Sequence, residues 1–389
     1  MTRVAQVSLG IDQLVASRAL VGRRVGLVCN PASVDSAFRH SADRVHGADG
    51  VTLTALFGPQ HGFRSDVQDN MVETSNARHR RFDVPIYSLY GDQREPMSEM
   101  LDEIDVLVID LQDVGARVYT YVYTMANCLR AAARYDVSVI VCDRPNPIGG
   151  TLVEGPMLES GYESFVGQFR IPLCHGMTIG ELARLFNEDI GADLEVSRLD
   201  GWERHVYHDG TDLPWIMPSP NLPTLESAVV YPGIVLFEGT NLSEGRGTTR
   251  PFELVGAPWI DGETLAGELR RATLDGVVTR PTHFEPTFQK HAGVPCGGCQ
   301  IHVIDRQTFR PVLTAVTLLQ AVRQLDPTRF AWRDPPYEYE TVKLPIDILS
   351  GSATLREQIA ADTPAAEIAS MWEANVAAFC ETRSTFLMY

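Results

Sequence analysis

Asp105-Val106-Leu107-Val108-Ile109-Asp110-Leu111 runs straight into the polar pair Gln112-Asp113. Four apolar residues in succession, with no polar alternation, predict a strand buried on both faces, which is the habit of a parallel sheet. The pattern recurs on either side of this stretch. Residues 24–29 (RVGLVC) run into Asn30-Pro31, and residues 51–57 (VTLTALF) into Gly58-Pro59-Gln60-His61-Gly62. Residues 85–89 run into Tyr90-Gly91, and residues 138–142 (SVIVC) into Asp143-Arg144-Pro145-Asn146-Pro147. Helical stretches such as residues 123–135 lie between several of them. That alternation predicts an open α/β sheet.

Beyond Gly150 the pattern loosens. Thr178-Ile179-Gly180-Glu181 reads as a capping box that opens a short helix to Asn187, and residues 194–199 as one more strand. Residues 214–258 are rich in Pro and Gly and read as a long functional loop. From Asp261 the pattern is mixed: helices at 263–274 and 312–325, a strand at 300–304, and a last helix with Thr363 as N-cap and Pro364 at its first position.

The chain has 389 residues, with 33 Lys and Arg against 50 Asp and Glu, a formal charge of −17. This balance argues against a nucleic acid or an anionic membrane surface as partner. No stretch approaches the roughly 20 apolar residues of a membrane span. The first residues show no signal-peptide pattern, so a cytoplasmic location is expected, although a mature chain numbered after cleavage would read the same way. The seven cysteines are scattered and odd in number, as reduced core thiols are.

Nucleotide chemistry is not indicated. No G-x-G-x-x-G follows the first strand, and no G-x-x-x-x-G-K-[ST] occurs. Cys296-Gly297-Gly298-Cys299, with His302 beyond, lacks a second ligand pair and reads as a tight turn before a strand. No cofactor and no metal are expected. In open α/β sheets ligands bind beyond the carboxyl ends of the strands. Those ends carry Asn30, Gln60, His61, Tyr90, Asp110, Gln112, Asp113, Asp143, Arg144 and Asn146. The densest polar run is residues 237–252. There Arg246 and Arg250 offer bidentate carboxylate pairing, and Glu238 and Glu244 offer acid/base chemistry if burial raises one pKa.

Taken in order, several strings resemble the exo-acting β-N-acetylmuramidase family (NamZ-type, glycoside hydrolase family 171), formerly a domain of unknown function. They are Gly26-Leu27-Val28-Cys29-Asn30-Pro31, Leu56 through Gly62, Tyr87 through Gly91, Asp110 through Arg117, Asp143 through Gly150, His175-Gly176-Met177-Thr178, Ser219-Pro220-Asn221 and Phe237 through Glu253. The resemblance implies a Rossmann-like domain over residues 1–232, a smaller α+β domain over 233–389, and a cleft between them. It implies release of N-acetylmuramic acid from the non-reducing end of peptidoglycan fragments, so the partner is a small saccharide or muropeptide.

On that reading Arg117, Arg144 or Arg246 holds the lactyl carboxylate. Asn30, Asn146, Asn221 and Asn241 hold amide and hydroxyl groups, and Tyr119 and Tyr121 offer ring faces. Gln60, Arg64, Tyr90, Asp143, His175, Ser219, Thr248 and Thr249 complete the expected binding set. The expected catalytic groups are Glu244 and Glu238, with Asp113 or Asp69 from the sheet side, and His61. One departure stands out: many members carry Glu where this chain has Gln60, and an amide gives up no proton at useful pH. Asp66, Asp69 or Glu73 would then supply a displaced acid. Two other readings stay open, a sugar-binding protein that has lost its acid and an enzyme acting on another acidic amino sugar.

Overall fold

The computed structural model describes residues 4–69 and 71–389. Among these described residues twelve strands form three sheets. In the first sheet are β1 (Arg24–Val28), β2 (Thr52–Gly58), β3 (Ala77–Arg78), β4 (Pro85–Ser88), β5 (Val106–Ile109) and β6 (Ser138–Cys142). The short pair β7 (Glu154–Met157) and β8 (Pro172–Cys174) stands apart, and β9 (Leu194–Ser197) returns to the first sheet. The antiparallel third sheet holds β10 (Leu254–Ala257), β11 (Val277–Phe284) and β12 (Cys296–Val303).

The seven-stranded sheet has the order β3-β4-β2-β1-β5-β6-β9. Every pairing in it is parallel except β3 with β4. Counting the parallel strands alone, the order is that of a Rossmann sheet, reversing direction between β1 and β5. Strand β5 shows why its sequence reads so clearly. Val106 and Val108 face a core shared with the helix Gly10–Ser17, while Leu107 and Ile109 face the core packed by the helix Tyr121–Tyr135. All four are fully buried, so no position is left for a polar residue. Thr178 caps the helix Ile179–Ile190 with the full capping box.

Two expectations are corrected. Residues 214–258 contain the helix Leu225–Ile234, a 3-10 turn over Val235–Gly239 and strand β10. The helix is buried at nearly every position and carries Pro232, so it shows no amphipathic period. Its Gly233 lies against helix Pro311–Leu325, where a Cβ would stand 1.9 Å from the Pro311 carbonyl oxygen. The Cys296–Cys299 run is the start of β12 and not a turn. Gly297 and Gly298 are needed because backbone oxygens of Ile260 and Val255 come within 2.1 and 2.0 Å of where a Cβ would be.

Candidate active site

The turn after β2 delivers Gln60 and His61 to the carboxyl edge of the sheet. Here the chain from the far end of the sequence meets them. The Gln60 amide Nε2 donates to Glu338 Oε1 at 3.2 Å, and its Oε1 accepts from the Thr120 hydroxyl at 2.6 Å. The Tyr90 hydroxyl donates to Glu338 Oε2 at 3.0 Å. Glu338 is only 4% exposed. Burial, reinforced by the charge of Glu238, pushes its carboxyl up to about 7. Its φ of +44° and that of Tyr339 at +69° are left-handed, a conformation costly to residues with a Cβ.

Glu238 stands in the opposite electrostatic setting. Arg246 Nη1 lies 2.7 Å from its Oε1, and the Tyr337 hydroxyl donates to its Oε2 at 2.8 Å. Arg246 also approaches Glu244 at 3.5 Å, and Glu244 meets Lys290 Nζ at 2.6 Å. Burial opposes the Glu244 charge, but the Lys290 and Arg246 cations outweigh it and hold that carboxyl below its usual range. Glu244 is therefore locked in an internal ion network. Burial drives His61 down to about 4, helped by the Arg246 charge, so its imidazole is neutral. His61 Nδ1 lies 2.8 Å from the Val67 carbonyl oxygen.

Of the residues anticipated from sequence, Gln60, His61, Tyr119, Ser219, Asn221, Glu238 and Arg246 line one cavity of about 40 Å³. Glu338, Tyr231 and Tyr337 line it too and were not anticipated. A space of that size holds a few waters but no pyranose ring, so admitting a sugar requires the lining side chains to spread.

Other anticipated residues are engaged elsewhere. Arg117 is fully buried and donates to the carbonyls of Pro156, Ile171 and Leu349 at 2.8–3.0 Å. Arg144 forms a two-pronged pair with Asp110 at 2.5 and 2.9 Å. Asp143 accepts from the Thr178 hydroxyl, the Gly180 amide and the Tyr389 hydroxyl, each at 2.8 Å. Asn146 holds the Met177 carbonyl, and Asn241 holds Arg329 and Ala331 in a turn. Asn30 and Tyr121 bond to each other and to the Pro218 carbonyl.

Asp113 and His175 form a buried pair, Oδ2 to Nε2 3.3 Å. The Met177 amide donates to His175 Nδ1, which places the ring proton on Nε2, toward Asp113. Tyr90 acts behind Glu338. Thr248 bonds the Gly245 carbonyl, and Thr249 is exposed. Asp69 pairs with Gln289 at the surface, while Arg64 and Asp66 border a separate groove. The only clue to Glu338 in the sequence was Tyr337-Glu338-Tyr339-Glu340, carboxylates interleaved with tyrosines.

A Rossmann-ordered sheet without a phosphate loop, with two buried carboxyl groups, Glu338 and Glu238, lining one cavity at its carboxyl edge, is an arrangement of the glycosidase kind. The chain belongs to the exo-β-N-acetylmuramidase NamZ family. The model of that family's N-terminal domain matches residues 25–226, and the model of its C-terminal domain matches residues 229–389. The chain is 44% identical to the peptidoglycan β-N-acetylmuramidase NamZ of Bacillus subtilis (strain 168) over 99% of its own length and 92% of that protein's. Two crystal structures of DUF1343 family proteins from Bacteroides fragilis share the fold. One has a TM-score of 0.89 at 36% identity, covering 100% of both chains. The other has a TM-score of 0.78 at 29% identity, covering 99% of both.

Proposed function

We propose that the chain is an exo-acting glycoside hydrolase that releases N-acetylmuramic acid from the non-reducing end of peptidoglycan fragments, with Glu338 as proton donor and Glu238 as its partner carboxylate. The observation that carries the assignment of roles is the opposite setting of these two groups in one cavity. Glu338 is raised to about 7 by burial and by the neighbouring charge, whereas Glu238 is paired to Arg246. A carboxyl raised in this way, beside one paired to a cation, supplies a proton donor and a partner carboxylate.

In the reaction, Glu338 gives its proton to the glycosidic oxygen as the bond from that oxygen to C1 breaks. The Glu238 carboxylate faces the positive charge that develops at C1. Water then adds its hydroxyl to C1, and its remaining proton restores Glu338. Gln60 serves as a donor that orients the acid, so the missing carboxyl at that position does not leave the cavity without one. Arg246 is the one arginine of the three anticipated that reaches the cavity, which supports recognition of an acidic sugar substituent. The seven free cysteines support action in a reducing compartment, on soluble fragments of the cell wall. No helix among the described residues is long and apolar enough to cross a membrane.

The test is release of a chromogenic leaving group from a β-N-acetylmuramic acid glycoside beside its N-acetylglucosamine analogue. Turnover of the first alone is expected. Turnover of neither, or of the second alone, overturns the reading.

A further inference from the structure

Only two of the chain's 33 Lys and Arg residues are lysines, Lys290 and Lys343. Lys343 pairs with its near neighbour Glu340. Lys290 reaches inward to three acceptors at once. Its ammonium donates to the carbonyls of Phe237 at 2.7 Å and Thr240 at 3.2 Å, and it lies 2.6 Å from Glu244 Oε2. Three acceptors take up three N–H groups, so the place suits the ammonium and not the neutral amine. An arginine, with its donors spread in a flat fork, suits a single carboxylate better than three separate oxygens.

The segment around Lys290 is shaped to bring it there. It connects β11 to β12, and both neighbours of the lysine, Gln289 and His291, have left-handed backbones at φ +66° and +60°. His291 Nε2 lies 2.7 Å from the Asn241 carbonyl oxygen. The Thr287 amide and hydroxyl both donate to the Gly247 carbonyl at 2.9 Å. Residues 287–291 therefore clamp the run that carries Glu238, Glu244 and Arg246.

The charges along that run explain the clamp. Arg246 Nη1 stands between two carboxylates, 2.7 Å from Glu238 and 3.5 Å from Glu244. Glu244 is buried, and a buried carboxylate left without a cation is costly. Lys290 supplies that cation, and the guanidinium settles on Glu238. Without Lys290, two buried carboxylates would compete for one guanidinium.

We infer that Lys290 is a positioning residue for Glu238. Its ammonium takes up the charge of Glu244, which leaves Arg246 to Glu238, and it fixes the carbonyl of Phe237, the residue before Glu238. Lys290 does not line the cavity and acts through these two links. The inference rests on the role given to Glu238 above, and its test separates the two.

Lys290→Met keeps an unbranched side chain and removes the charge. In a crystal structure of this variant Arg246 is expected to stand closer to Glu244 than to Glu238, the reverse of the present order. An Arg246 that keeps its place on Glu238 overturns the inference. This measurement needs no turnover. It decides the link between Lys290 and Glu238 even if the wild type hydrolyses no muramic acid glycoside, a result that would overturn the glycosidase reading alone.

Kinetics then test what the link is for. Lys290→Met is expected to lower kcat/KM at least tenfold, on a β-N-acetylmuramyl disaccharide and on an aryl glycoside alike, because Glu238 faces a charge at C1 that develops in both. Adding Glu244→Gln removes the competing carboxylate and is expected to raise kcat/KM at least threefold above that of Lys290→Met. A purely structural role for Lys290 predicts no such recovery, since the second change returns no donor to Phe237 or Thr240. No loss in the single variant, or a loss that the second change leaves in place, overturns the inference. Should Lys290→Met not fold, Lys290→Gln, whose amide can still donate to the carbonyls, takes its place with the same expectations.

Discussion

Gln60 and Glu338, 278 residues apart in the chain, meet as amide donor and carboxylate acceptor at 3.2 Å. The carboxyl thus receives two donors, Gln60 and Tyr90, yet burial still holds it near 7. Hydrogen bonds to a carboxylate favour its charged form, so without these donors the acid would titrate higher still.

Glu338→Gln is expected to lower kcat/KM on a disaccharide by about 10²–10⁴, the usual worth of a positioned acid. An aryl glycoside whose leaving group departs without a proton should lose much less. In the wild type the basic limb of the pH profile of kcat/KM is expected near 7, and the residual activity of the variant should lack that limb. Steady-state rates across pH on both substrates check this.

Gln60→Glu would place a second carboxyl against Glu338. Two such groups share a proton and titrate as a pair, so the upper apparent pKa rises. The basic limb of kcat/KM is expected to move up by about one unit or more, with activity retained. A profile that stays in place, with Glu338 otherwise intact, would show that position 60 does not touch the acid.

Stability should carry the same signature. The ordinary value for Glu338 is 4.5 and the folded value about 7, so the folded form keeps a proton that the unfolded chain has lost. Its contribution is therefore full below about 4.5 and declines as pH rises through about 7. Glu338→Gln removes that slope. Relative to wild type, the variant is expected to gain up to about 3 kcal/mol between pH 4 and pH 8. Urea unfolding at the two pH values measures it.

Arg246→Met would leave Glu238 buried without its cation and weaken the hold on Glu244. Breaking a buried pair from one side typically costs about 3–5 kcal/mol. A fall of that size in urea stability is expected, with Arg246→Lys intermediate because its ammonium keeps charge but not the forked geometry.

Gly233→Ala tests the junction of the two helices. Its Cβ would fall 1.9 Å from the Pro311 carbonyl oxygen, so the helices must separate. Overpacking of this kind costs about 1–3 kcal/mol, read as a lower urea midpoint.

The parallel sheet was legible because strands such as Val106–Ile109 are buried on both faces and leave an uninterrupted apolar run. The helix Leu225–Ile234 was hidden for the same reason turned around: buried on all sides and carrying Pro232, it has neither a polar face nor a favourable composition. Arg117 and Arg144 have the residue type of substrate ligands, but a buried guanidinium can also spend its donors on carbonyls or a carboxylate, and sequence does not distinguish the two. Glu338 could not be reached from its neighbours in sequence. What makes it an acid is Gln60, Tyr90 and Glu238, all brought to it by the fold.

The bond from the Tyr389 hydroxyl to Asp143 also has a bearing on how the protein is made. Asp143 follows β6, the strand beside the edge strand β9, and this partner is 246 residues further along the chain. The Met388 amide and Glu181 are likewise 207 residues apart. As the ribosome moves along the message, the first sheet emerges long before the residues that close its edge. These contacts therefore form late, and the sheet's carboxyl edge at Asp143 gains this cover only once residues 388 and 389 have left the exit tunnel.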